Sequence, residues 1–159
     1  MQKNKIDFRR IICPLPKNTN KKQRGHLLIV AGSRGMTGAA VLAVKAAFRA
    51  GAGIVTLAFP EEIRDVYSSV VPDAITLPMP STREGSLSAG AEKLIKKYSE
   101  KANGVVIGPG LSKNTETQEL IKKLITEIKK PLIIDADALT SLAEDITLLK
   151  KRECPTILT

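Results

Sequence analysis

The sequence is poor in aromatic residues: it has no tryptophan, two tyrosines and three phenylalanines, 3% of 159 residues. Proteins that hold single-stranded nucleic acid by stacking need aromatic platforms, and this chain offers few. It has one histidine, His26, and two cysteines, Cys13 and Cys154, far apart and without Cys-x-x-Cys spacing. That argues against a zinc site, which draws on such residues at short spacing. No apolar run approaches the roughly 20 residues of a membrane span. The N-terminal stretch MQKNKIDFRRIICPLPKN lacks the apolar core of a signal peptide. Reduced thiols and a cytoplasmic location are therefore expected, with no membrane partner.

Hydrophobic residues make up 43% of the chain, a proportion that suits one globular domain. At this length folding buries roughly 70% of the unfolded surface, so a core needs no disulfides. The formal net charge is +9. Its lysines fall in short clusters such as Lys96-Lys97, Lys122-Lys123 and Lys129-Lys130, interleaved with glutamates. Such clusters read first as solvated helix faces. The functional alternative is attraction of an anionic ligand, a phosphate-bearing small molecule sooner than a nucleic acid.

Residues 1–25 read as a polar, extended lead-in with a short helix near 6–11, and residues 26–159 as one α/β domain. Apolar runs predict strands at 26–32 (HLLIVAG), 54–59, 74–79, 104–110 (GVVIGPG), 131–137 (PLIIDAD) and 155–159. Helices are predicted at 37–51, from Pro60 to about 70, at 88–101 with Ser88 as N-cap, and at 115–130. The last would be opened by a Thr115-x-x-Gln118 capping box. A short helix follows in ALTSLAED. This alternation argues a mainly parallel sheet covered by helices on both faces, a three-layer α/β/α domain. Strand order is not readable from it.

The unusual residues gather where strands end, which in open parallel sheets is where ligands bind. The first strand leads into Gly32-Ser33-Arg34-Gly35-Met36-Thr37-Gly38, the fourth into Gly108-Pro109-Gly110 and the fifth into Asp135-Ala136-Asp137. If the sheet is parallel, all three share one edge. Glycines let a ligand approach the backbone, and the following helix offers free N–H groups to a phosphate. Arg34 and Gly35 are candidate phosphate contacts. The spacing G-x-x-G-x-x-G is neither the dinucleotide fingerprint nor a P-loop, so a ligand loop and a tight turn both stay open. The alanines that follow also let a helix lie close on a sheet. Asp135 and Asp137, two apart at a strand end, would face one side. Asp137 is the candidate cap of the next helix, and Asp135 a partly buried carboxylate in need of partners.

Taken in order, KKQRGHLLIVAGSRGMTGAAVLAVKAAFRAGAGIVTL, PDAITLPMP, GVVIGPGL and PLIIDADAL resemble the ADP- or ATP-dependent NAD(P)H-hydrate dehydratases, members of the ribokinase-like superfamily. The resemblance implies repair of hydrated NADH or NADPH. In that reaction ADP or ATP, with Mg2+, phosphorylates the added ring hydroxyl and loss of phosphate restores the dihydronicotinamide. It implies that Gly38, Ala39, Ala40, Gly108, Gly110, Asp135 and Asp137 line the hydrated dinucleotide. It also implies that the family pattern continues past Thr159, into a T-P-H-P-G-E-like segment and then a G-T-G-D segment carrying the catalytic base. The chain is accordingly expected to be the N-terminal half of the domain, to hold no catalytic residue of its own, and to be a homo-oligomer if full-length. Two other readings stay open: a fragment of a ribokinase-like vitamin or sugar kinase, and a non-enzymatic nucleotide- or nucleic-acid-binding module.

Overall fold

A computed structural model describes Pro16 and residues 18–159. The helix expected near 6–11 lies outside the described residues.

Six strands form one sheet: β1 His26–Val30, β2 Ile54–Pro60, β3 Ile75–Met79, β4 Gly104–Ile107, β5 Leu132–Ile134 and β6 Thr156–Leu158. Their order is β3-β2-β1-β4-β5-β6 and every adjacent pair is parallel. The helices are α1 Thr37–Arg49, α2 Arg64–Val70, α3 Glu92–Lys101, α4 Thr115–Glu127 and α5 Asp137–Ala143. The chain runs outward one way from β1 to β3, then returns to β4 beside β1 and runs outward the other way. The order therefore reverses between β1 and β4, a topological switch point where the carboxyl ends of two strands diverge and leave a crevice.

The helices divide between the two faces. Ile29 and Leu57 pack under α1 and α2 with Ala40, Val44, Ala47 and Tyr67. Leu28, Val30, Val105, Ile107, Leu132 and Ile134 pack under α3, α4 and α5. The α4 stripe of Leu120, Ile121, Leu124, Ile125 and Ile128 is buried as its spacing predicts. In α1 the small residues Ala40 and Ala47 go in with Val44, whereas Val41 and Phe48 are only partly buried. Close approach to the sheet thus accounts for two of the alanines. Ala46 and Ala50 are exposed.

Strand and helix ends differ from the sequence reading for local reasons. The first and fourth strands stop short, before glycines whose positive φ cannot continue a strand, Gly32 at +88° and Gly108 at +131°. The fifth stops at Ile134, and Ala136 turns the chain with φ +48°. Helix α4 is capped one residue before the expected box: Asn114 Oδ1 accepts from the Thr117 N–H at 3.2 Å. Ser88 sits at the expected N-cap, but its side chain caps nothing; Glu116 accepts the Ala89 N–H instead, at 2.8 Å. At its far end α4 is closed by Arg152, whose guanidinium donates to the carbonyls of Ile125, Ile128 and Lys130 at 2.6, 3.0 and 2.8 Å. Burial lowers the pKa of that guanidinium from its ordinary value. The same side chain donates to Thr156 Oγ1 at 2.6 Å, tying β6 to the end of α4.

Candidate functional site at the switch point

Each of the three glycines of the first turn has a different environment. Gly32 has φ +88°, and a Cβ on it would lie 2.2 Å from Tyr67 Oη. Tyr67 is fully buried, edge-on to Phe59 with ring centroids 4.6 Å apart, and burial pushes its pKa up to about 12. Packing therefore requires the first glycine. Gly35 has φ +81° with nothing within 4 Å of a Cβ, so the backbone requires the second. Gly38 lies inside α1, where φ is ordinary, and a Cβ there would also meet nothing within 4 Å. Neither packing nor backbone explains the third. It is the second residue of a 13-residue helix that no side chain caps, so first-turn N–H groups are free to face a ligand.

The second turn lies against the first. Pro109 O accepts the Gly32 N–H at 2.9 Å across the switch point. A Cβ on Gly110 would sit 2.7 Å from Met36 O and 3.4 Å from Ala39 Cβ, so this turn abuts the start of α1. The third turn lies against the second: a Cβ on Gly108 would sit 1.7 Å from Asp135 O and 2.9 Å from Ala138 Cβ. The shared edge expected from sequence is thus a set of turns in mutual contact.

The acidic pair is arranged differently from its sequence reading. The strand has ended before either residue, so the two do not share a strand face. Asp137 does not cap α5; its Oδ2 accepts the Ser112 N–H at 2.9 Å and so anchors the turn after β4. Asp135 is half-buried and accepts from Thr159 Oγ1 at 2.7 Å. Among the described residues the non-glycine positions with positive φ are Ser112 and Ala136, at +83° and +48°. Each costs on the order of 1–3 kcal/mol, and such strain collects at functional sites. Both lie on this edge, on the two segments that Asp137 joins.

Arg34 is exposed and paired with Glu62. Its backbone N–H donates to Gly85 O at 2.8 Å, which holds the 81–87 connection against the glycine loop. That connection is pinned from below. Thr117 Oγ1 is 2.8 Å from both Leu87 O and Ser86 Oγ, and Ser86 Oγ is 2.9 Å from Thr82 Oγ1. A hydroxyl has one proton to give, so Thr117 donates to the carbonyl, which can only accept. Sequence reading missed this strap, because nothing in PSTREGSLS announces contacts with a helix some 30 residues on. It also missed Ser33. That residue is 2% exposed, and its Oγ has no hydrogen-bond partner among the described residues. Its place between two turn glycines was the available signal.

No group of three or more His, Cys, Asp or Glu residues that could hold a metal ion occurs among the described residues. No helix among them is long and apolar enough to cross a membrane.

Comparison with known proteins bears on the family and the fold. The family model described as NAD(P)H-hydrate dehydratase matches residues 27–159. The bifunctional NAD(P)H-hydrate repair enzyme Nnr of Moorella thermoacetica is 39% identical over 136 residues, which are 85% of this chain and 26% of the relative. A crystal structure of the ADP/ATP-dependent NAD(P)H-hydrate dehydratase from Bacillus subtilis, co-crystallised with ATP/Mg2+, superimposes with a TM-score of 0.64. It is 26% identical, over 92% of this chain and 48% of that one. A ribokinase-like superfamily protein from Enterococcus faecalis shares the fold at TM-score 0.70 and 24% identity, over 84% of this chain and 44% of its own. The chain thus spans about a quarter of the curated relative and about half of the solved ones. A ribokinase-like α/β sheet, three interlocked turns at its switch point and a family match running through all of them lead to one assignment: the chain belongs to the NAD(P)H-hydrate dehydratase family.

Proposed function

We propose that this chain forms the dinucleotide-binding side of an NAD(P)H-hydrate dehydratase, a cytoplasmic lyase that repairs hydrated NADH and NADPH. The observation that carries the reading is Gly38, a glycine with no structural reason to be one, at the uncapped start of α1. A pyrophosphate seated there meets free N–H groups and the positive end of the helix dipole. Gly35 and the first turn of α1 supply the phosphate contacts, and Arg34 adds its charge by exchanging Glu62 for the ligand. Gly38, Ala39, Ala40 and the Gly108–Gly110 turn form the wall beside the dinucleotide. Ser33 offers an unused hydroxyl within the same loop. Asp135 and Asp137 frame the far side, and their present partners, Thr159 and Ser112, give them a positioning role.

Phosphorylation of the ring hydroxyl falls to ADP or ATP, which supplies the phosphoryl group when bound. The described residues do not make a Mg2+ site by themselves, since Asp135 and Asp137 are each already bonded and no third acidic or histidine ligand joins them. On this reading the donor nucleotide, its Mg2+ and the catalytic base are held by the part of the relatives that this chain does not match. Phosphoryl transfer depends on holding donor and acceptor together. The 159-residue chain is therefore expected to bind hydrated NADPH without turning it over. Binding is read by calorimetry. Turnover is read as ADP- or ATP-dependent recovery of dihydronicotinamide absorbance. Turnover by the chain alone, or failure to bind, would overturn the reading.

A further inference from the structure

Three buried hydroxyls meet beneath the connection between β3 and α3. Thr82 is 9% exposed, Ser86 1% and Thr117 0%. Ser86 Oγ lies 2.9 Å from Thr82 Oγ1 and 2.8 Å from Thr117 Oγ1, and Thr82 Oγ1 accepts the Ser86 N–H at 3.3 Å. Each hydroxyl has one proton, and the row ends on Leu87 O, which can only accept. The direction of the row is then fixed. Thr117 gives its proton to the carbonyl, so Ser86 donates to Thr117 and Thr82 donates to Ser86. Every hydroxyl gives one bond and takes one. The strap 81–87 is thereby tied to α4 through the Thr117 side chain.

The first turn of α4 holds the strap a second time. Asn114 Nδ2 donates to Glu84 Oε2 at 2.8 Å, while its Oδ1 takes the Thr117 N–H. One orientation of the amide satisfies both contacts. On its other side the strap lies against the glycine loop. Gly85 O accepts the Arg34 N–H at 2.8 Å, and Ser81 Oγ is 3.5 Å from Glu62 Oε1. Gly85 has φ +77°, and a Cβ on it would sit 2.7 Å from Arg34 Cβ and 3.2 Å from Glu62 Oε2. The strap therefore borders both members of the Arg34–Glu62 pair. An exposed ion pair by itself holds long side chains only weakly. The strap supplies the backbone bond and the close contact that the pair lacks.

We propose that Thr117 is a positioning residue for the glycine loop. It acts through the strap, which fixes the Arg34 backbone and the ion pair beside the start of α1. The strap is thus a fourth segment of the site. It is joined to the turn after β4 through the same hub, since Ser112 Oγ accepts the Asn114 N–H at 3.2 Å. The effect of Thr117 on ligand affinity rests on the dinucleotide reading; its effect on the loop does not.

The test compares Thr117→Val, which keeps the shape and removes the hydroxyl, with Thr117→Ser, which keeps the hydroxyl. Amide hydrogen exchange of the free chain is read at Arg34 and, as a reference for the whole fold, at Ile29, fully buried in β1. Thr117→Val leaves Leu87 O and the Ser86 hydroxyl unpaired. Exchange at Arg34 should accelerate about tenfold or more relative to Ile29, and affinity for hydrated NADPH should fall about tenfold. Thr117→Ser should restore both. Ser86→Ala leaves Leu87 O paired and is the milder variant if Thr117→Val does not fold; it should accelerate Arg34 exchange about threefold. Equal acceleration at Arg34 and Ile29 would mean lost stability alone and would overturn the proposal. So would unchanged Arg34 exchange in Thr117→Val and Ser86→Ala, or unchanged affinity in a variant whose loop has loosened. If exchange behaves as expected but the unsubstituted chain does not bind hydrated NADPH, the dinucleotide reading fails and the positioning of the loop stands.

Discussion

Gly38→Leu is expected to weaken binding of hydrated NADPH by roughly 10- to 100-fold or more while the chain stays folded. The loss follows from bulk placed where a ligand approaches the backbone, at the 1–3 kcal/mol typical of overpacking. Stability should not suffer, because nothing lies within 4 Å of a Cβ at this position. Leucine is also the better helix former, by up to about 0.8 kcal/mol in a helix interior. That gain would raise the melting temperature by about 2–4 °C at most in a chain of this size. A calorimetric titration beside a thermal melt separates the two effects. Lost binding with an intact melt supports a ligand at the start of α1. Full binding in the folded variant would show that the third glycine faces only solvent.

Gly108→Ala is expected to act in the opposite way, through the fold. The new Cβ would sit 1.7 Å from Asp135 O, a backbone atom that cannot swing aside, at φ +131° where side chains are disfavoured. Either the fourth or the fifth strand must move. A cost of about 4 kcal/mol or more belongs to this class of change, out of about 5–15 kcal/mol of total stability. In urea that is a midpoint lowered by more than about 1 M. Gly35→Ala, with a positive φ but open space, should cost only about 1–2 kcal/mol. Equal midpoints for the two variants would contradict the packing described at the strand ends.

The contrast between these glycines marks the limit of what the sequence discloses. Continuous apolar runs identified the strands, because strands buried on both faces leave little room for polar residues. The period of Leu120, Ile121, Leu124 and Ile125 identified α4 for a similar reason. Both signals are local. What separates Gly32, Gly35 and Gly38 is what a missing Cβ would touch, and for Gly32 that is Tyr67, 35 positions later. Strand order is non-local in the same sense, and so is burial: Ile133 and Ile157 are as apolar as Ile134, yet only Ile134 is fully buried. The acidic pair was misread because alternation was extended past Ile134 into a turn made by Ala136, a residue whose identity gives no hint of a positive φ. The Asn114 cap was missed by one position, since Thr115 and Gln118 alone satisfy the pattern of a capping box.

If the three turns at the switch point form one dinucleotide site, their amides must sense one ligand together. The most direct measurement is a titration of the 15N-labelled chain with hydrated NADPH, followed amide by amide. Perturbed signals are expected at Ser33 to Ala40, Gly108 to Ser112 and Asp135 to Asp137, saturating together with one dissociation constant. Perturbations confined to residues outside these three turns, or no perturbation at millimolar ligand, would contradict it.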